Sequence, residues 1–307
     1  MALSAPDINA GFQQVREERA LLKRIADVRD PAFWLTLNPE LSITDFPMAV
    51  RRERLPVPSS VAEQCRDQLI HEGFMSTPPL VPADELARFA RGMERVVAAG
   101  LPSVLAAVYD EYYNLFSGLE AVFAPLMGDD YIAVTQGVWA FHVAPGDDGR
   151  MLWTSNAPHR DRMNPDARTL AHDVPSILTL WMPLEDVTPD MSCIYVVPAP
   201  FDPGFYTARA PVERKNIRLQ DVRCLPARAG QVLGWSSHLI HWGSRASAYS
   251  SRPRMAVTLY FQRRDVALWH PFHIDPARPA TFLDRLMWIE HSMGRPGFLS
   301  GQRPEGV

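Results

Sequence analysis

Apolar residues in the first third of the chain recur at the three-to-four spacing of amphipathic helices. This periodicity predicts helices over residues 8–28, 59–71, 84–99 and 103–126. Ser59 and Asp84 stand where N-caps are favoured, the latter shortly behind Pro82. From Tyr131 the pattern changes to short β-branched and aromatic runs: YIAVTQGVWAFHVAPGDDG, SILTLWMPLEDVTPD, CIYVVPAP, CLPARAGQVLGW and MAVTLYFQRR. Pro, Gly and Asp clusters separate them, and no helical stretch intervenes, which points to an antiparallel sandwich or open barrel buttressed by the N-terminal helices. After Asp265 the chain turns proline-rich, with one more helix expected over 281–293. No internal repeat is visible. The expected organisation is one domain over 1–307: a mainly helical part at 1–128, a sheet core at 129–265 and a C-terminal extension at 266–307.

Composition narrows the functional classes. A chain of 307 residues buries roughly 75% of the surface its unfolded form exposes, so no disulfide staple is needed. The formal net charge is -4 and no basic run occurs, so nucleic acid and anionic membranes are poor partners. Cys65, Cys193 and Cys224 are too few and scattered for a disulfide framework or a cysteine zinc site. The N-terminal stretch lacks the apolar core of a secretion signal, and the longest apolar-looking run, 96–109, is interrupted by Gly100, Pro102 and Ser103. A soluble, cytoplasmic protein is expected.

Candidate chemistry lies in His159-Arg160-Asp161, with His241 and Arg254 downstream. Two imidazoles and a carboxylate are the set that holds a ferrous ion on one face and leaves the opposite positions open. If the segment is extended, His159 and Asp161 point to the same side and both reach one ion. The third ligand comes from GWSSHLIHWGS, where the candidates are His238 and His241. His241 is preferred because Gly243 and Ser244 follow it, a small-residue stretch that lets a co-substrate approach closely. Arg254 opens a strand on which Arg254, Ala256, Thr258 and Tyr260 share one face. An inward arginine is costly unless an anion meets it, and its planar fork suits a carboxylate. Arg252 shares that parity and is the alternative. His273-Ile274-Asp275 is a second H-x-D, but no His and Arg follow it in order, so it reads as structural. Arg160 and Arg162 are either solvated or face an anionic substrate group.

The order H-x-D, then LTLWMPLEDVTPDMSCIYVVP, then a distal His and R-x-A at a strand start resembles the phytanoyl-CoA dioxygenase family of 2-oxoglutarate-dependent iron oxygenases, over about residues 72–265. The resemblance implies a double-stranded β-helix, the cupin-like jelly roll. It implies Fe(II) held by His159, Asp161 and His241, with 2-oxoglutarate and O2 as co-substrates. Arg254 would meet the distal carboxylate of 2-oxoglutarate, with Trp181 and Thr179 in the wall beside it and Gln136 nearby. Pro198-Ala199-Pro200-Phe201 and Gly230-Gln231 stand where the family usually has Pro-Gly-Ser-His and Gly-Asp.

The function that follows is hydroxylation of an unactivated C–H bond in a small molecule of specialised metabolism, with succinate and CO2 as co-products. Related halogenases carry a small residue in place of the carboxylate, so Asp161 favours hydroxylation over halogenation; desaturation and cyclisation use the same oxidant. The rival classes are a catalytically silent jelly-roll binding protein and a cupin enzyme that does not use 2-oxoglutarate, for which Arg254 would be unimportant.

Overall fold

The computed structural model describes residues 21–45, 55, 57–128, 130–147, 157–161, 170–171, 174–207, 212–269 and 271–301. Among these, the helices are α1 (Ile25–Val28), α2 (Pro31–Leu37), α3 (Ser59–Glu72), α4 (Ala83–Ala98), α5 (Asp110–Ser117), α6 (Glu120–Met127) and α7 (Phe282–Ser292). Most of the helix expected over 8–28 lies outside the described residues. Pro58 and Pro82, not Ser59 and Asp84, occupy the N-cap positions of α3 and α4. The two polar residues fall inside the first turn, where Asp84 still complements the helix dipole. The single helix expected over 103–126 is broken into a 3-10 turn (Ser103–Val108), α5 and α6. α7 begins as its sequence suggests: Thr281 and Asp284 form a reciprocal capping box.

The strands are β1 (Phe74–Pro79), β2 (Tyr131–Val143), β3 (Leu170–Ala171), β4 (Val174–Pro175), β5 (Ile177–Pro183), β6 (Ile194–Val197), β7 (Arg223–Leu225), β8 (Gln231–Ser236), β9 (Ile240–Gly243), β10 (Arg254–Arg263) and β11 (His273–Ile274). A six-stranded antiparallel sheet runs β1-β8-β5-β10-β2-β11, and a smaller one runs β7-β6-β9. An antiparallel bridge between His159 and His241 extends the smaller sheet. Between β2 and β10 the chain passes back and forth between these two sheets, with β6 and β7 consecutive in the smaller one and β3 paired with β4 apart from both, the connectivity of a double-stranded β-helix. β11 shows that the C-terminal extension takes part in the major sheet.

The two-residue alternation of β10 separates two cores. Met255, Val257, Leu259 and Phe261 pack under the helices with Phe89, Tyr112, Phe116 and Phe123, where Phe123 stacks on Phe261 at 4.5 Å. Ala256 faces the other way and shares an inner core with Trp181, Leu233 and Trp235 of the large sheet and Ile194 and Val196 of the small one. β5 is buried along its whole length because both its faces are covered. None of the helices among the described residues is long and apolar enough to cross a membrane.

One irregularity shapes the inner face. Thr258 pairs with Trp139 and Tyr260 with Val134, so residues 135–138 of β2 bulge against the single residue Leu259. Tyr112 reaches into the gap: its hydroxyl donates to the Thr258 carbonyl and accepts from the Trp139 N–H at 3.1 Å. Gly137 lies so close to Tyr260 that an added Cβ would stand 2.5 Å from the Tyr260 nitrogen.

Candidate metal centre

The bridge between His159 and His241 sets the site. His159 N–H donates to the His241 carbonyl at 3.1 Å and His241 N–H to the His159 carbonyl at 2.9 Å, while Asp161 N–H donates to the Ser237 carbonyl at 3.2 Å. These backbone ties bring together two segments nearly eighty residues apart in sequence. One ligand atom each from His159, Asp161 and His241 then lies within 4.8 Å of the others.

Each imidazole is oriented from behind. Nδ1 of His159 lies 2.9 Å from the Ala157 carbonyl and Nδ1 of His241 3.1 Å from the Leu239 carbonyl. A carbonyl only accepts, so in the neutral rings Nδ1 carries the hydrogen and Nε2 presents its lone pair inward. The two Nε2 atoms lie 3.9 and 3.3 Å from Asp161 Oδ1. Ligands bonded at about 2.1 Å and adjacent in an octahedron lie about 3 Å apart, so this donor set fits a divalent ion with little closure.

Asp161 is cradled by a row of donors across the large sheet. Tyr260 on β10, Thr179 on β5 and Trp235 on β8 are direct cross-strand neighbours on the inner face. The Thr179 hydroxyl and Trp235 Nε1 donate to Oδ2 at 2.6 and 3.0 Å, and the Tyr260 hydroxyl donates to Oδ1 at 2.9 Å. Burial alone would raise the Asp161 pKa; His241, His159 and the Thr179 hydrogen bond outweigh it and hold the carboxyl well below the usual range. Burial, with His241 beside it, pushes His159 down to about 4. Burial also opposes charge on His241, but the Asp161 carboxylate prevails and raises its pKa.

Arg254 is 5% exposed, on the inner face of β10. Its Nη1 donates to the Ser192 carbonyl at 2.8 Å, its guanidinium lies 5.6 Å from the Phe141 ring, and Nε has no hydrogen-bond partner. No carboxylate forms an ion pair with it among the described residues. Burial lowers its pKa to about 10, which leaves it charged at neutral pH. Arg252, by contrast, is a surface residue 3.5 Å from Glu185. Among the described residues, Trp181 Nε1, Thr258 Oγ1, Ser244 Oγ and, in the bulge of β2, Gln136 Oε1 are also buried polar atoms without a hydrogen-bond partner. Buried polar atoms without a partner are uncommon in a folded interior, and each calls for an explanation.

The remaining candidates separate cleanly. His238 turns away, with Nδ1 3.2 Å from the Phe205 carbonyl, and takes no part in the cluster. Asp275 of the second H-x-D is engaged by Arg264 and Arg278, each at 3.5 Å, and caps the turn at Ala277. Arg160 is neither solvated nor turned toward the cluster; strand alternation sends it to the outer side, where it pairs with Asp202. Arg162 lies outside the described residues. The cradle of Tyr260 and Trp235 around Asp161 was not anticipated from the sequence, although alternation already placed Tyr260 on the inner face.

A helix-buttressed double-stranded β-helix with this cluster between its sheets defines the class, that of cupin-like folds. The solved structures it resembles include the apo form of the non-heme monooxygenase ThoJ, at a TM-score of 0.52 and 14% identity over 75% of this chain and 99% of that one. AviO1 from Streptomyces viridochromogenes Tue57 gives 0.50 and 18% over 71% and 99%. The epimerase SnoN in complex with Fe3+, alpha ketoglutarate and nogalamycin RO gives 0.47 and 16% over 73% and 96%. At such identities the likeness is one of fold. No protein-family profile matches the chain, and no curated protein does.

Proposed function

We propose that this chain is, as one domain, an Fe(II)- and 2-oxoglutarate-dependent oxygenase of the phytanoyl-CoA dioxygenase type that hydroxylates a C–H bond of a small molecule. The observation that carries this reading is a complete His/Asp/His donor set in the same inner core as a buried arginine that, among the described residues, has no carboxylate partner. His159 Nε2, Asp161 Oδ1 and His241 Nε2 would hold the ion. The bound metal supplies the oxidation of one C–H bond to C–OH, coupled to conversion of 2-oxoglutarate and O2 to succinate and CO2.

The protein's contribution is positioning and shielding. Arg254 anchors the far carboxylate of the co-substrate with a charge already desolvated, and Ser244, Trp181 and Thr258 offer hydrogen-bonding atoms that the fold leaves unused. Phe141 beneath the guanidinium limits its swing. Thr179, Trp235 and Tyr260 keep Asp161 ionised and turned toward the imidazoles. As third ligand, Asp161 would fill the place that related halogenases leave to a halide, which favours transfer of oxygen over halogenation. The fold and composition fit a cytoplasmic enzyme of specialised metabolism acting on a free small molecule.

The test is iron- and oxygen-dependent formation of succinate from 2-oxoglutarate, stimulated by compounds from a small-molecule library, with the product made under labelled oxygen in chloride buffer. One labelled oxygen atom in the product is expected. A product with chlorine or without label would overturn the hydroxylase reading. Iron binding without 2-oxoglutarate turnover would favour a cupin enzyme of another type, and no iron binding a silent binding protein.

A further inference from the structure

We propose that the buried pair Arg160–Asp202 is a brace that fixes the spacing of the metal ligands, a positioning role that rests on the metal centre proposed above. Arg160 sits between two of the three ligands in sequence, and its side chain leaves the opposite face of that segment. Its guanidinium meets Asp202 in a two-pronged contact, Nη1 to Oδ2 at 2.6 Å and Nη2 to Oδ1 at 3.0 Å. Nη1 also donates to the carbonyl of His238, three residues ahead of the third ligand. Both side chains are almost wholly buried, at 3% and 5% exposure.

The other end of the brace is itself anchored. Asp202 Oδ1 accepts the Gly204 N–H at 3.0 Å, and the Asp202 N–H closes a turn onto the Ala199 carbonyl. Phe205, in the same loop, packs where a Cβ on Gly73 would come within 2.8 Å of its ring, against the end of α3. His238 returns to this loop through Nδ1 and the Phe205 carbonyl. A closed circuit therefore joins the segment bearing His159 and Asp161, the turn leading to His241 and a loop seated on a helix. On the outer side lies a cavity of about 360 Å³ bounded by Arg160, Asp202, Val197, Ile240 and Arg218. Among the described residues, the ion pair ties the Arg160 side chain to the wall of this cavity.

A buried ion pair is a poor way to gain stability, because an apolar pair of similar volume is often as stable or more so. What a two-pronged pair supplies and an apolar pair lacks is a defined distance and direction. Groups that orient metal ligands from behind typically change metal affinity about 10–100-fold when removed. The brace acts on the ligands through the backbone on either side of Arg160 and before His241.

The test separates position from stability. The double variant Arg160→Met/Asp202→Leu, the single variant Asp202→Asn and the charge-keeping Arg160→Lys are each titrated with Co2+ without oxygen, following ligand-field absorbance, and melted without metal. The double variant is expected to melt close to wild type yet bind Co2+ about 10–100-fold more weakly, with Arg160→Lys recovering part of the loss. If the double variant does not fold, Asp202→Asn is expected to show the same loss of affinity, because it keeps the shape and removes the charge. Any folded variant lacking the pair that binds Co2+ as tightly as wild type overturns the brace. So does a loss of affinity with no recovery in Arg160→Lys. Wild type that takes up no Co2+ would remove the metal centre, and the brace with it; uptake by wild type with unchanged variants would remove the brace alone.

Discussion

At the scale of single residues, Asp161 is held by three hydrogen-bond donors from three adjacent strands. Thr179 and Trp235 both hold Oδ2, the oxygen turned away from the imidazoles, so they set the direction in which Oδ1 points. Thr179→Val and Trp235→Phe are each expected to weaken Co2+ or Fe(II) binding by about tenfold or more, while Thr179→Ser, which keeps the hydroxyl, stays near wild type. Titration of the metal-free protein measures this; unchanged affinity in both variants would show that Asp161 needs no support. Arg254 carries a second expectation. If Arg254 anchors the far carboxylate of 2-oxoglutarate as proposed, Arg254→Ala leaves that carboxylate buried without its partner, at a cost of about 3 to 5 kcal/mol, seen as a sharp rise in the co-substrate concentration needed for turnover. Arg252→Ala, on a surface residue already beside Glu185, is expected to change little. The reverse pattern would move the anchor by two positions. His159, Asp161 and Arg254 were legible because residue type, parity and order suffice to place them. His241 is preferred over His238 on the small residues that follow it, but the bridge to His159 that brings it into the cluster was not legible. Nor were Tyr260 and Trp235 legible as partners of Asp161, because that relation rests on the register of three strands and not on any local pattern.

At the scale of elements, the five strand runs from Tyr131 onward were readable from two-residue alternation and turn residues. β1 was not: Pro78 and Pro79 obscure it, and it pairs only with β8, an edge position that tolerates proline. β9 and β11 are too short to show alternation, and β11 exists only because β2 offers it an edge. The stretch 103–126 reads as one helix because its apolar residues keep roughly helical spacing across Asp110, Glu111 and Gly118. Its segmentation follows from Tyr109 and Gly118–Leu119 leaving the helix, with Tyr112 on the resulting α5 plugging the bulge of β2. That bulge carries the element-scale prediction. Gly137→Ala places a methyl group against the backbone of Tyr260, so β2 and β10 must part at the point where Tyr260 meets Asp161. Overpacking of this kind costs about 1–3 kcal/mol. A lower melting temperature and weaker metal binding are expected together, whereas Ala at Gly100, where nothing lies within 4 Å of the added Cβ, should leave metal binding intact. Equal metal affinity in both variants would show that the bulge does not set Tyr260.

At the scale of the whole molecule, the two cores divide the work. The helices bury the outer face of the large sheet and hold it rigid, while the inner face and the small sheet enclose the polar groups. The segment bearing His159 and Asp161 is tied to β9 by the backbone bridge between His159 and His241, and to the turn before β9 by the Asp161 N–H to the Ser237 carbonyl. An ion bound by His159, Asp161 and His241 would join this segment to β9 directly, and because the three ligands are brought together only by folding, it binds the native state far better than the unfolded chain. Linkage then fixes the size of the effect: metal at a hundred times its dissociation constant adds about 2.7 kcal/mol to the free energy of unfolding. For a chain of this size that is roughly 5 °C in melting temperature. The shift is expected in wild type and in His273→Ala, since the second H-x-D lies apart from the site, and is expected to vanish in Asp161→Ala and in His241→Ala. Melting curves with and without Co2+ under nitrogen decide it. A wild-type curve that does not move, or an Asp161→Ala curve that moves as far as wild type, would mean that the three side chains do not close on a metal when the chain folds.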